Sequence, residues 1–133
     1  MSVRPETHTS SDERAKYVNP QAPDEHIQAM LEAIDKTGRE HARAKTYAAR
    51  LKDQREITLA TIMRIKETEG VAAVAKQKRE ALLHPMYRDV LERYYQAIEE
   101  EVNARTAAEN AVRLFEGWRT AESTQRALIR GGA

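Results

Sequence analysis

No cysteine occurs anywhere in the 133 residues. A disulfide framework, a thiolate metal site and a cysteine nucleophile are therefore excluded, and a reducing compartment suits the chain. Aromatic residues make up only 5%. β-Branched and aromatic runs, the material of strands, are nearly absent. Glycine is sparse and mostly terminal, so hairpin turns of the Asn-Gly kind are missing. No apolar run approaches a membrane span, and the first residues lack the apolar core of a signal peptide. The expected location is the cytoplasm, with no membrane partner. Neither sign of charge dominates, the net value being +1. Nucleic-acid binding, if it occurs, must come from a local patch.

What the chain has instead is alanine, glutamate, lysine, arginine and leucine, the usual material of long helices and coiled coils. The fold class expected is all-α. The expected architecture is a long antiparallel helical hairpin with a short connecting helix, coiled-coil-like and oligomeric. Residues 1–22 read as a polar, proline-punctuated tail that cannot bury enough apolar surface to offset its ordering entropy. Tyr17 and Val18 within it could dock on the body or on a neighbouring subunit. Residues 23–130 read as a single helical domain.

The first helix is predicted over about 24–67. Pro23 suits a first turn, and Asp24 and Glu25 complement the dipole there. Ile27, Met30, Leu31 and Ile34 follow at helical spacing. Ala44, Ala48, Leu51, Thr58, Ile62 and Ile65 continue the stripe, with Arg55 as its one interruption. Gly38 marks a kink or a break. Gly70 is placed as a C-terminal glycine. A short helix, 71–83, follows with Val71, Val74, Ala75 and Leu82 as its apolar positions, and ends before Pro85. The last helix is predicted over 85–129, with Gly131 and Gly132 ending it. Tyr87, Val90, Tyr94, Ala97, Ala104, Ala108, Ala111, Phe115 and Trp118 form a heptad-like seam in which Glu101 is the polar member.

Catalytic patterns are weak. His8, His26, His41 and His84 form no HExxH pair and read as surface residues. Glu80 and His84 lie one turn apart but lack the second pair that a di-metal bundle needs. No Gly-rich phosphate loop exists. Glu99, Glu100 and Glu101 read as a solvated face. No cofactor and no metal are expected, and enzyme is the least favoured class.

The basic residues are more informative. Lys76, Lys78 and Arg79 cluster on the short helix, and Arg88 and Arg93 follow Pro85 with Tyr87, Tyr94 and Tyr95 interleaved. Cations can hold phosphates while a ring stacks on an unpaired base. Tyr95 is the better stacking candidate because it lies off the seam, where Tyr87 and Tyr94 can simply be core. Tyr94, Ala104, Ala108, Ala111, Phe115 and Trp118 are the candidate oligomer interface, since a stripe this long exceeds what one hairpin covers.

The stretch His84-Pro85-Met86-Tyr87, an acidic alanine-rich helix, and the ending Leu114-Phe115-Glu116-Gly117-Trp118-Arg119-Thr120 resemble small helical phage recombination mediators, the UvsY-like proteins. The resemblance covers roughly residues 44–128. It implies a non-enzymatic homo-oligomer that binds single-stranded DNA and helps load a RecA-like recombinase onto DNA coated by single-strand-binding protein. It also implies phosphate contacts at Lys76, Lys78, Arg79 and Arg88, and packing roles for Phe115 and Trp118. The alternatives are a phage scaffold or adaptor protein and a helical inhibitor of another protein.

Overall fold

A computed structural model describes residues 22–132, and the described chain is helical with no strand. The expected tail, residues 1–22, lies outside these residues except for Ala22, which is already helical. Helix α1 spans Ala22–Thr68, α2 spans Val74–Leu83 and α3 spans Pro85–Gly132. No described helix is long and apolar enough to cross a membrane.

Helix α1 is continuous for 47 residues and passes through Gly38 without a break. Gly38 is exposed with open space around it, so nothing there competes with the helical bonds. A glycine in such a position costs only about 1 kcal/mol, which the helical turns on either side absorb.

The end of α1 has a clear local cause. Gly70 adopts φ +101°, a left-handed conformation that side chains other than glycine resist. The Gly70 N–H donates to the Glu67 carbonyl and the Val71 N–H to the Lys66 carbonyl, each at 3.0 Å. These two bonds form a Schellman motif.

That motif also corrects the start of α2, which begins at Val74 rather than Val71. Val71 is engaged on both sides of its peptide. Its N–H closes the Schellman motif, and its carbonyl accepts the buried Gln77 Nε2 at 2.6 Å. Val71 to Ala73 therefore form a loop. The buried face of α2 is Gln77 and Ala81, whereas Val74, Ala75 and Leu82 are exposed.

His84 joins α2 to α3. Its extended backbone, φ −69° and ψ 135°, is what a following proline favours. Its Nδ1 accepts the Met86 N–H at 3.1 Å and its carbonyl accepts the Arg88 N–H at 3.0 Å. His84 is thus the N-cap of α3. Replacing His84 with alanine should lower stability by about 1 kcal/mol, while His84→Asn restores most of it because an asparagine oxygen can accept the same bond. Urea midpoints of the two variants check this; equal losses would show that the cap contributes nothing. Helix α3 itself runs to Gly132, past the expected end at Ile129.

Two compact units divide the described residues, one combining residues 22–37 with 108–132 and one spanning Gly38–Ala107. In the second, Ile62, Ala81 and Tyr87 form a core cluster, with Leu59, Met63 and Leu91 packed against it. One buried residue comes from each of the three helices, so the cluster ties the unit together. Leu51, Val90 and Ala97 are also buried there. In the first unit the buried side chains among the described residues are Met30 and Ala111. Phe115 stacks on Trp118 at a centroid distance of 6.4 Å, and His26 meets the Trp118 ring edge-on at 6.1 Å.

The buried stripe of α3 follows the heptad seam read from the sequence. On α1 it departs at two positions: Leu31 and Ile65 are both 45% exposed. Met30, also on the expected stripe, is buried beside Leu31, and Lys66, one step from Ile65, is half-buried.

Candidate nucleic-acid interface

Lys76, Lys78, Arg79 and Arg88 are all exposed. The positions of the three on α2 follow from the way that helix is seated, while Arg88 follows the buried Tyr87 on α3. Gln77 and Ala81 face inward, so the residues before and after them on the wheel point outward. The acid of α2, Glu80, is drawn away from these cations. Its carboxylate lies 4.0 Å from Lys66 Nζ, which also meets Glu69 at 3.4 Å. One Glu80 oxygen is buried without a hydrogen-bond partner. Among the described residues, Lys76, Lys78, Arg79 and Arg88 have no acidic partner within ion-pair distance. Their charge is therefore open to an external anion.

Arg93 differs from the other four. Its guanidinium meets Asp89 at 3.3 Å one helical turn away. The pair is largely exposed and worth a few tenths of a kcal/mol, so Arg93 offers an anion less than a full free charge. Tyr95 is 55% exposed and stands beside the Tyr94 ring, with centroids 6.1 Å apart and planes tilted by 32°. Apolar side chains border the cations: Val74, Leu83 and Met86 are each more than half exposed.

The residues read as an oligomer seam are covered within one chain. Ala111 is buried, and Tyr94, Ala104, Ala108, Phe115 and Trp118 are half-buried. The Arg55 guanidinium lies over the Tyr94 ring at 5.0 Å, and Arg119 lies over Phe115 at 5.8 Å. Beside the seam on α3, one position off it, Tyr95, Ile98 and Val102 are among the apolar residues left open in Gly38–Ala107.

Two readings of individual residues change. His41 is not a surface histidine: it is half-buried, and its Nε2 lies 2.7 Å from Glu101 Oε2. Glu101 is likewise half-buried and also meets Arg105 at 3.7 Å, so it is not part of a solvated acidic face with Glu99 and Glu100. The signal for this pair is present in the seam. His41 falls on the α1 stripe between Ile34 and Ala44, and Glu101 is the polar member of the α3 stripe. Two polar residues on two facing stripes can share one buried contact, but spacing alone does not reveal which residue on α1 comes level with Glu101.

Glu80 and His84 take on separate tasks, an ion pair and a helix cap. Among the described residues no group of three or more histidines and carboxylates converges as a metal ion would need.

A second cationic stretch emerges on α1. Between 38 and 68 the sequence carries eight Lys or Arg against four Asp or Glu. Arg43, Tyr47 and Arg50 line a shallow cleft on this helix together with Ala42 and Thr46. The sequence signal is the i, i+4, i+7 spacing of two arginines about a tyrosine. It is easily lost where charged residues are this frequent.

Comparison with protein-family models, with curated proteins and with solved structures finds no match to this chain.

Proposed function

We propose that this chain is a helical binding protein, not an enzyme, that holds single-stranded nucleic acid on the surface formed by α2 and the first turns of α3. The observation that carries this reading is the group of four exposed cations, Lys76, Lys78, Arg79 and Arg88, with no acid within ion-pair distance among the described residues while Glu80 is turned to Lys66. Phosphates supply most of the affinity of such a surface, and an exposed ring adds stacking on an unpaired base. We assign that ring to Tyr95, which is exposed on α3 seven residues after Arg88. The resemblance to recombination mediators fits this chemistry and suggests the setting, in which bound DNA is handed to a RecA-like recombinase displacing single-strand-binding protein.

We further infer that α1 and α3 run antiparallel within Gly38–Ala107. The support is the order of their contacts: His41 meets Glu101, Arg55 meets Tyr94, and Ile62 clusters with Tyr87. Partner numbers fall on α3 as they rise on α1.

Fluorescence anisotropy with a labelled oligonucleotide tests the main reading. Affinity should fall steeply with salt. Replacing Lys76, Lys78, Arg79 and Arg88 together with alanine should reduce the slope of log K against log salt by about 3, from about 0.7 per phosphate contact on a single strand. Arg93→Ala should change it by less than any one of the four. No binding at micromolar protein and low salt would remove this reading.

Exposed Ile98 and Val102 favour a second one, a homo-oligomeric structural or assembly protein that self-associates through α3. Light scattering that shows an oligomer, with no oligonucleotide bound, would select it.

A further inference from the structure

From Arg43 to Arg64, the three- and four-residue steps of α1 bring up Arg43, Tyr47, Arg50, Gln54, Ile57, Thr61 and Arg64. These positions lie on one face of a helix. All are exposed, and none is acidic. Tyr47 is 47% exposed and sits between Arg43 and Arg50 in the shallow cleft that α1 alone forms. Among the described residues neither arginine has an acid within ion-pair distance, although Glu40 and Asp53 lie one turn away on the flanks. The Thr46 and Thr61 hydroxyls donate to carbonyls of their own helix, at 3.0 and 2.8 Å, so the polar capacity of the strip belongs chiefly to the guanidinium groups.

We propose that this strip is a second contact for single-stranded nucleic acid, with a base stacked on Tyr47 and phosphates held by Arg43 and Arg50. The inference rests on the nucleic-acid reading above and extends it to a different helix. The two arginines are about 10 Å apart along the axis, at 1.5 Å per residue, with the ring between them. Guanidinium groups are suited to phosphate because they present several donors in a planar fork. An aromatic face flanked by such groups fits an unpaired base better than a duplex, whose bases are already stacked. An acidic peptide would use the arginines but would leave the ring without a role.

The test uses the full chain, a labelled oligonucleotide and an abasic oligonucleotide of equal length and charge. Arg43→Ala with Arg50→Ala should reduce the salt slope by about 1.4, on top of whatever the α2 cations contribute. Tyr47→Ala should weaken the base-bearing strand by about five- to hundredfold. It should leave the abasic strand unchanged, and Tyr47→Phe should restore the loss. Circular dichroism verifies that each variant keeps its helix. If the native chain binds and the α2 variant loses affinity, but the α1 variants behave as native, this strip is not a contact and the α2 reading stands. A Tyr47→Ala loss that is equal on both strands would overturn stacking. If the native chain binds neither strand, the parent reading falls and takes this one with it.

Discussion

Replacing Ile62 with alanine is expected to destabilise the protein by about 2–5 kcal/mol, the usual cost of an aliphatic-to-alanine change in a packed core. Ile62 is 1% exposed and touches a cluster drawn from all three helices. Removing its outer carbons leaves a cavity beside Ala81, a short side chain that is already fully buried, and Tyr87, which is 7% exposed. Neither neighbour can collapse into the space cheaply. A domain of this size has only about 5–15 kcal/mol to lose, so the variant should be near its folding threshold. The urea midpoint should fall with little change in the slope, because the surface exposed on unfolding is nearly the same. Ile57→Ala is the internal control. That residue is 64% exposed on the same helix and should change stability by less than about 0.5 kcal/mol. Equal losses at the two positions would show that α1 is not held by this cluster.

The second large effect concerns the unequal depth of the two units. Gly38–Ala107 buries Leu51, Ile62, Ala81, Tyr87, Val90 and Ala97, whereas the described residues of the other unit bury Met30 and Ala111. Each large apolar side chain removed from water contributes about 1.5–3 kcal/mol. The difference therefore amounts to several kcal/mol in the cost of local opening. Hydrogen exchange should show it directly. Amides over 55–66 and 87–97 should exchange at least about a hundredfold more slowly than those over 24–37 and 112–130, since every 1.4 kcal/mol is a factor of ten. Trp118, the one tryptophan, reports the shallower unit. Its fluorescence should change at lower denaturant than the helical signal as a whole. Even protection along the chain, with coincident transitions, would show that the two units open together.

Much of the fold is legible in the order of residues alone. The seam of α3 can be read from Tyr87 to Trp118 because heptad spacing survives tertiary folding: the residues on one helical face are set by the pitch alone. Gly70 and Pro85 announce their helix ends because positive φ and the pre-proline restriction are properties of single residues. The four exposed cations can be named as candidates, because charge is in the sequence.

Other features depend on what each side chain meets. Among the described residues Lys76, Lys78, Arg79 and Arg88 form no ion pair, whereas Arg93 meets Asp89 one turn behind it. Glu80 is turned to Lys66 of another helix and so does not neutralise its own. Val71 is loop and not helix because Gln77 reaches back to its carbonyl.

By itself, the sequence determined an all-helical chain, its two long elements and the stripe along α3, since these follow from local propensity, pitch and the backbone limits of glycine and proline. The tertiary structure decided which polar residues on the stripes meet, with His41 on Glu101 and Arg55 over Tyr94. It also decided which cations remain open, because both depend on the level at which one helix is set against another, and that register is a property of packing between residues far apart in the chain.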